Sequence, residues 1–150
     1  MKSAVVREIQ VADYPDIYLL NQVFNPRYAV FSEEKVKKKI ETILQHTEDI
    51  IFVYEENSQV VGYIHGSPYE LLFSEAMVNV LGFVVQENHR RRGVGTALIE
   101  KLEQWGRNNG FNGIKLLSHP SRTAAHRLYE QRGYRFTKDQ KNYIKTFENP

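Results

Sequence analysis

The chain has 150 residues, the length of one domain, and its 41% hydrophobic and 25% charged residues are ordinary for a globular protein. A net charge of +2 is too small to favour nucleic-acid binding, and no apolar window is long enough for a signal peptide or a membrane span. The absence of cysteine excludes disulfides, thiolate metal sites and an acyl-cysteine intermediate. We expect a single cytoplasmic domain over residues 1–150, with no nucleic-acid or membrane partner.

The first half of the chain predicts a strand, two helices and a hairpin. In order, these are a strand at 4–9, helices at 13–25 and 32–46, and a hairpin of strands at 50–54 and 59–65. Asp13 and Ser32 favour the N-cap of the two helices, and Pro15 suits the first turn of the first one. Residues 66–76 form a loop or continue the hairpin into the next strand.

The second half predicts alternating strands and helices. In order, these are a buried strand at 78–85, a helix that ends near residue 108, a strand at 113–118, a helix at 123–133, and a last pair of strands at 134–136 and 143–145. Such an order, after a helical N-terminal region, predicts a mixed α/β sheet.

Three arginines and a short glycine segment, Gly93-Val94-Gly95, separate the buried strand from the helix that follows it. The start of a helix presents unpaired N–H groups and partial positive charge, so it binds anions. Glycines let a diphosphate approach these groups. A dinucleotide fingerprint would need a glycine where Leu98 stands, and the Gly-Lys-Ser/Thr of a Walker loop does not occur. The predicted ligand is a phosphate-bearing cofactor.

The spacing Arg90-x-x-Gly93-x-Gly95 resembles the Gln/Arg-x-x-Gly-x-Gly/Ala signature of the GNAT family of acyl-CoA-dependent N-acyltransferases. Residues 125–136 are similar to the second motif of this family. The matching positions are Ala125, Leu128, Tyr129, Gly133 and Tyr134. Arg122 stands where the family commonly has Asn. The resemblance implies an α/β (α+β) fold with a mixed, mostly antiparallel central sheet, splayed parallel central strands and flanking helices.

The same resemblance implies acetyl-CoA as the acyl donor. The thioester and the pantetheine arm would follow the strand residues Phe83, Val84 and Val85. The pyrophosphate would lie on the turn, formed by Arg90, Arg91, Arg92, Gly93, Val94, Gly95 and Thr96. The second motif would add cofactor contacts from Arg122, Ala125 and Tyr129. No spacing of His, Asp and Glu suggests a metal site.

The resemblance also makes Tyr129 the candidate general acid, because a phenol stays protonated at neutral pH and can protonate the departing thiolate. Relatives often place an acidic residue on the central strand to accept the proton of the amine. Here residues 81–82 of that strand are Leu and Gly. The remaining base candidates are Glu75, Glu70 and His119, and a water chain is an equal alternative.

These features predict an N-acetyltransferase that moves an acetyl group directly from acetyl-CoA to a primary amine of a small molecule or a protein. The surface expected to recognise a cationic amine combines aromatic and acidic residues, namely Tyr28, Phe31, Tyr69, Glu70 and Phe73. A CoA-binding sensor without turnover is the alternative from another class, and nucleic-acid binding through residues 90–92 ranks far below both. Similar proteins often form homodimers, so a homodimer is a further expectation.

Overall fold

The computed structural model describes residues 3–90 and 92–148, and the chain divides into two compact units, Met1–Leu117 and Ser118–Pro150. Arg91, one of the three arginines predicted to contact a pyrophosphate, lies outside the described residues. Within the described ranges, no helix is both long and apolar enough to cross a membrane.

The first unit is built on a five-stranded sheet whose strands follow one another in chain order. The strands are β1 (Ala4–Glu8), β2 (Ile50–Glu56), β3 (Gln59–Leu71), β4 (Ser74–Val85) and β5 (Ile114–Lys115). Neighbouring strands are antiparallel except β4 and β5, which are parallel. The sheet confirms the predicted mixed, mostly antiparallel arrangement, although β5 is shorter than the predicted strand at 113–118.

Helices cover both faces of this sheet. They are α1 (Tyr14–Phe24), α2 (Glu33–His46) and α3 (Val94–Asn108). One apolar core joins α1 and α2 to the sheet, formed by Ile17, Leu20, Val36, Ile40, Ile51, Val53, Val60 and Val84. We call this side the α1–α2 face. On the other side, Leu98 and Leu102 of α3 are fully buried and lie against the glycines of β3. Ser32 caps α2 as predicted, because its Oγ accepts a hydrogen bond from the Lys35 N–H at 3.2 Å.

The stretch at 66–76 continues the hairpin, which was one of the two predicted alternatives. β3 runs to Leu71 and β4 begins at Ser74, so the chain turns at Leu72 and Phe73. Gly66, which would ordinarily weaken a strand, lies where side chains of α3 and β4 approach the backbone most closely. Because the hairpin is extended, β4 begins before the residues that pair with β5.

The second unit contains α4 (Thr123–Gln131), which ends in a turn at Gly133 with φ of 90°. The predicted strands at 134–136 and 143–145 are wrong for the described residues, because no strand is formed between 134 and 148. Most side chains of this segment are exposed. A strand needs a partner edge for its N–H and C=O groups, and an alternating sequence does not by itself provide one.

A charged cluster joins β1 to the start of α1 and to β2. The Arg7 guanidinium donates to both carboxylate oxygens of Asp13 at 2.9 Å and to Glu55 Oε1 at 2.9 Å. Asp13 is buried and also accepts from the Gln10 N–H at 2.8 Å. Asp13 occupies the predicted N-cap position of α1, but its side chain makes no cap hydrogen bond to that helix. The predicted capping bond is therefore wrong, since the paired guanidinium is the stronger partner.

Replacing Arg7 by Met should destabilise the fold by about 2–3 kcal/mol, because the Asp13 carboxylate loses its charged donors. Glu55→Gln should cost less than about 1 kcal/mol, because Glu55 is the more exposed partner, with 32% of its side chain exposed against 9% for Asp13. Arg107→Met, at an exposed position of α3, should change stability by no more than about 0.5 kcal/mol. Urea denaturation at pH 7 measures the free energy of unfolding of all three variants. Equal losses of stability would contradict the assignment of Asp13 as the main partner of Arg7.

Candidate functional site

β4 and β5 stay paired over a very short distance. The register pairs are Val78 with Ile114 and Asn79 with Lys115. In the described sheet β4 then continues to Val85, past the end of β5. This part of β4 lies beyond its ladder with β5, and an extended ligand binds such a strand edge by main-chain hydrogen bonds. The splay of the two parallel strands stays a prediction, and the structure shows that their pairing ends after two residue pairs.

A β-bulge lies on β4 beyond the point where the two parallel strands separate. His65 pairs with Gly82 and Gly66 pairs with Val80, so Leu81 is an extra residue on β4. Bulges bend a strand, re-aim side chains and often occur next to active sites. We call the region around Leu81 the β4 bulge.

A tight turn leads from β4 into α3. Gly93 precedes the helix with φ of 84°, a left-handed conformation that glycine adopts without strain. A Cβ at Gly93 would meet nothing within 4 Å, so the backbone angle and not crowding explains the glycine. The N–H groups of Val94, Gly95 and Thr96 belong to the first turn of α3 and have no acceptor within the helix. This end of α3 is suited to bind an anion.

Arginines add positive charge beside the turn. Arg90 and Arg92 are both exposed. Arg90 Nε donates to the carbonyl of Val85 at 3.2 Å and so holds the turn against the end of β4. His89 Nε2 lies 3.3 Å from Glu56 Oε2, which ties the same turn to β2. These contacts fix the position of the turn from two sides.

Tyr63 lies over the β4 bulge on the α1–α2 face. A Cβ added to Gly82 would lie 3.2 Å from Tyr63 Cε1 and 3.5 Å from its hydroxyl oxygen. This hydroxyl donates to Asn21 Oδ1 of α1 at 2.6 Å. Burial, together with the nearby Tyr28, raises the pKa of Tyr63 to about 12. Tyr63 is therefore protonated at neutral pH and acts as a donor.

A partly buried acid–base pair lies on the same face. His65 Nε2 is 2.8 Å from Asp49 Oδ2, and their side chains are only 15% and 12% exposed. His65 follows Tyr63 by two residues on β3, and alternate residues of a strand share a face. The pair therefore stands beside the β4 bulge, next to Gly82 across the β3–β4 ladder.

In the second unit, α4 carries the residues of the predicted second motif. Tyr129 lies on α4, and its ring centre is 6.0 Å from that of Tyr134. Burial raises the pKa of Tyr129, and the positive charge of Arg122 partly offsets this effect. Arg122 directly precedes α4, and Ala125 is partly buried one turn before Tyr129. Tyr129 is protonated at neutral pH, as a proton donor must be.

The predicted base candidates lie at exposed positions, two in the first unit and one in the second. Glu70 and Glu75 are exposed near the β3–β4 turn. Glu75 is about 20 Å along β4 from Leu81 of the bulge, at a rise of about 3.4 Å per residue. His119, in the second unit, is exposed, and its Nδ1 accepts a hydrogen bond from the Ser121 N–H at 3.1 Å. Across residues 3–90 and 92–148, no group of three or more His, Asp or Glu side chains could hold a metal ion.

Sequence reasoning missed four polar residues of the site, namely Asn21, Asp49, Tyr63 and His65. The alternation along 59–65 was the available signal, since it puts Tyr63 and His65 on one face of a strand. Their partners Asn21 and Asp49 come from α1 and from the residue before β2, and only packing of the sheet brings them close.

The parallel pair of strands and the glycine turn at the start of α3 are features of the acyltransferases that the sequence resembles. The chain belongs to the acetyltransferase (GNAT) family, whose model matches residues 6–134. It is 28% identical over 97 residues to N-acetyltransferase family 8 member 3 of Mus musculus. That match covers 64% of this chain and 43% of the relative, so the chain spans less than half of the relative's length.

Solved structures share the fold over nearly the whole chain. Aminoglycoside N-acetyltransferase AAC(6')-Iy, in complex with CoA, has a TM-score of 0.83 at 20% identity, with 97% of this chain and 96% of that chain covered. An acetyltransferase of Trypanosoma brucei has a TM-score of 0.81 at 18% identity, with 95% of this chain and 99% of that chain covered. The 6'-N-acetyltransferase AAC(6')-Ih of Acinetobacter baumannii has a TM-score of 0.79 at 14% identity, with 97% of this chain and 100% of that chain covered. These structures confirm the predicted fold.

Tyr63→Phe tests the buried hydroxyl over the β4 bulge. At pH 8 the variant should be less stable than the wild type by about 1–2 kcal/mol, because Asn21 loses its donor. The folded-state pKa of Tyr63, about 12, lies above the ordinary value of 10. The stabilisation is therefore complete below pH 10 and is lost as pH rises through 12. By pH 11 the wild type should lose about 1.4 kcal/mol relative to the variant.

Urea unfolding at pH 8, 10 and 11 measures this difference. Tyr143→Phe is the matched control, because the Tyr143 side chain is exposed, and it should follow the wild type at every pH. Parallel pH profiles of Tyr63→Phe and the wild type would show that the Tyr63 phenol titrates in the same way in the folded and unfolded chains.

Proposed function

We propose that the chain transfers an acetyl group from acetyl-CoA directly to a primary amine of a small molecule or a protein. The observation that carries this proposal is the part of β4 that continues beyond the end of β5 and leads to the glycine turn and the start of α3. Acetyl-CoA presents chemical groups in the matching order, with amides and a thioester for a strand edge and a pyrophosphate for a helix start. Membership of the acetyltransferase family and the CoA bound to a structural neighbour support this proposal.

In this proposal the cofactor contacts come from both motifs. Phe83, Val84 and Val85 would offer main-chain groups to the pantetheine arm and the thioester. The residues proposed to hold the pyrophosphate are Arg90, Arg91, Arg92, Gly93, Val94, Gly95 and Thr96. From α4 and the residue before it, Arg122, Ala125 and Tyr129 would add further contacts to the cofactor.

The proposed chemistry is one direct transfer. The nitrogen of the neutral amine forms a bond to the thioester carbonyl carbon and gives up one proton, the C–S bond breaks, and the departing thiolate takes up a proton. Tyr129 is the proposed donor of that proton, because burial keeps its phenol protonated at neutral pH. The chain has no cysteine, so an acyl-cysteine intermediate plays no part.

A small cationic amine is the acceptor that we favour. Two structural neighbours are aminoglycoside acetyltransferases, which supports a small polyamine-like acceptor over a protein amine. Tyr28 and Phe31, after α1, are 46% and 41% exposed, and Tyr28 stacks on Phe24 with ring centres 6.1 Å apart. Exposed aromatic faces of this kind attract ammonium groups.

One observation favours a second candidate, a CoA-binding sensor that does not turn over. Residues 80–82 of the β4 bulge are Val, Leu and Gly, so this part of β4 carries no carboxylate that could accept the proton of an amine. A sensor would need only the β4 edge and the turn at Gly93. The two candidates therefore share the cofactor site and differ in turnover.

Gly93→Ala should weaken CoA binding by about tenfold, because an L-residue resists a left-handed backbone at a cost of about 1–2 kcal/mol. Gly110→Ala is the matched control, since Gly110 has φ of 81° and open space for a Cβ but follows the opposite end of α3. Both variants should lose similar stability, and only Gly93→Ala should lose CoA affinity in calorimetric titration. Equal CoA affinity of the two variants would contradict the placement of the pyrophosphate.

Thiol release from acetyl-CoA, measured against aminoglycosides, polyamines, amino acids and peptides with lysine or N-terminal amines, separates enzyme from sensor. Turnover with one group identifies the acceptor class. Tyr129→Phe should then lower kcat by about 10²–10⁴-fold with CoA affinity kept, while Tyr143→Phe should leave kcat unchanged. Binding of acetyl-CoA without turnover of any acceptor would favour the sensor, and absence of binding would contradict both candidates.

A further inference from the structure

The His65–Asp49 pair is a partly buried acid–base pair that the cofactor site does not use. Its oxygen–nitrogen distance is 2.8 Å, and 15% or less of each side chain is exposed. It lies on the α1–α2 face, and His65 pairs directly with Gly82 of the β4 bulge. Directly paired residues of neighbouring strands have Cα atoms only about 4.5–5.5 Å apart. One strand therefore separates this imidazole from the open edge of β4.

The hydrogen bond to Asp49 determines which imidazole nitrogen can accept a proton. A carboxylate accepts hydrogen bonds, so the proton of the neutral ring belongs on Nε2, the nitrogen that faces Asp49. Nδ1 then carries the lone pair. An imidazole that is oriented by a carboxylate on one nitrogen and accepts on the other is the arrangement that general-base catalysis requires.

The other groups around the β4 bulge do not supply a general base. Residues 80–82 of β4 carry no carboxylate. Tyr63 is a donor, because its pKa is raised to about 12 and its hydroxyl is bonded to Asn21. Glu75 lies about 20 Å away along β4. His65 is the acid–base group on the α1–α2 face that stands directly beside the bulge.

We propose that His65 is the general base of the acetyl transfer and that Asp49 positions it. The assignment rests on the proposed function. Nδ1 of His65 takes a proton from the substrate ammonium, directly or through one water. The neutral nitrogen then forms the C–N bond as the C–S bond breaks, and the thiolate takes the proton of the general acid. The second proton that the nitrogen loses as the amide forms restores the general acid, and His65 returns its proton to solvent, so one ammonium and one thioester give one amide, one thiol and one proton.

His65→Gln tests the base without removing the bond to Asp49, because the glutamine amide can donate to the carboxylate from the same place. With the acceptor identified in the thiol-release assay, kcat/KM at pH 7 should fall about 10²–10⁴-fold, and CoA affinity should be unchanged. The matched control is His46→Gln, at an exposed position at the end of α2, which should keep wild-type kcat/KM.

The pH dependence separates a lost base from a structural defect. Without a base, the reaction needs an amine that is already neutral, and for an amine with a pKa of about 10 that fraction rises tenfold per pH unit. The rate of His65→Gln should therefore approach the wild-type rate between pH 7 and 10. Asp49→Asn, which favours the proton on the wrong nitrogen, should show a similar loss and a similar recovery.

Each outcome of these measurements bears on the assignment of His65 as the general base. Wild-type kcat/KM in His65→Gln overturns the assignment while the proposed function stands. A loss in both variants that stays constant from pH 7 to 10 overturns it too, because a damaged fold is not repaired by pH. If His65→Gln does not fold, Asp49→Asn carries the test alone. A wild-type chain that binds acetyl-CoA and acetylates no amine overturns the proposed function, and with it the need for a base.

Discussion

The short pairing of β4 with β5 is the constraint on which the site depends. A backbone N–H or C=O group that is buried without a partner costs about 1–3 kcal/mol, so the ladder at Val78 and Asn79 fixes the register of β5 on β4. β4 then continues past the end of β5, and the β4 bulge lies on this part of the strand, with the glycine turn after it.

Two glycines of β3 determine how closely α3 packs on the sheet. A Cβ at Gly66 would be 2.8 Å from Leu102 Cδ1, and a Cβ at Gly62 would be 3.1 Å from Val94 Cγ1. Such distances are too short for ordinary carbon contacts, so α3 can pack this close to the sheet only because both side chains are missing. Val94 is buried in the first turn of α3. Its contact with β3 therefore holds the anion-binding end of α3 beside the end of β4.

The parts of this structure that the sequence predicted depend on local signals. The apolar strand, the glycine turn and the helical stripe lie within about thirty consecutive residues, and their spacing alone indicates the phosphate site. The strands at 134–136 and 143–145 were wrong, because pairing depends on an edge elsewhere in the chain. The contact between His65 and Asp49 joins residues that are 16 positions apart on different elements. No local pattern contains that pairing.

The acceptor side of the site also depends on contacts across the sheet, and these change the electrostatics that the sequence suggests. Lys115 Nζ lies 5.2 Å from the centre of the Tyr69 ring, so this aromatic residue already has an ammonium group beside it. A second cation would meet the repulsion of the first. Tyr28 and Phe31 are exposed at the other end of the same face. In the proposed reaction a cationic amine is therefore better accommodated near the end of α1, and it reaches the β4 bulge past Tyr63 and not past the β3–β4 turn.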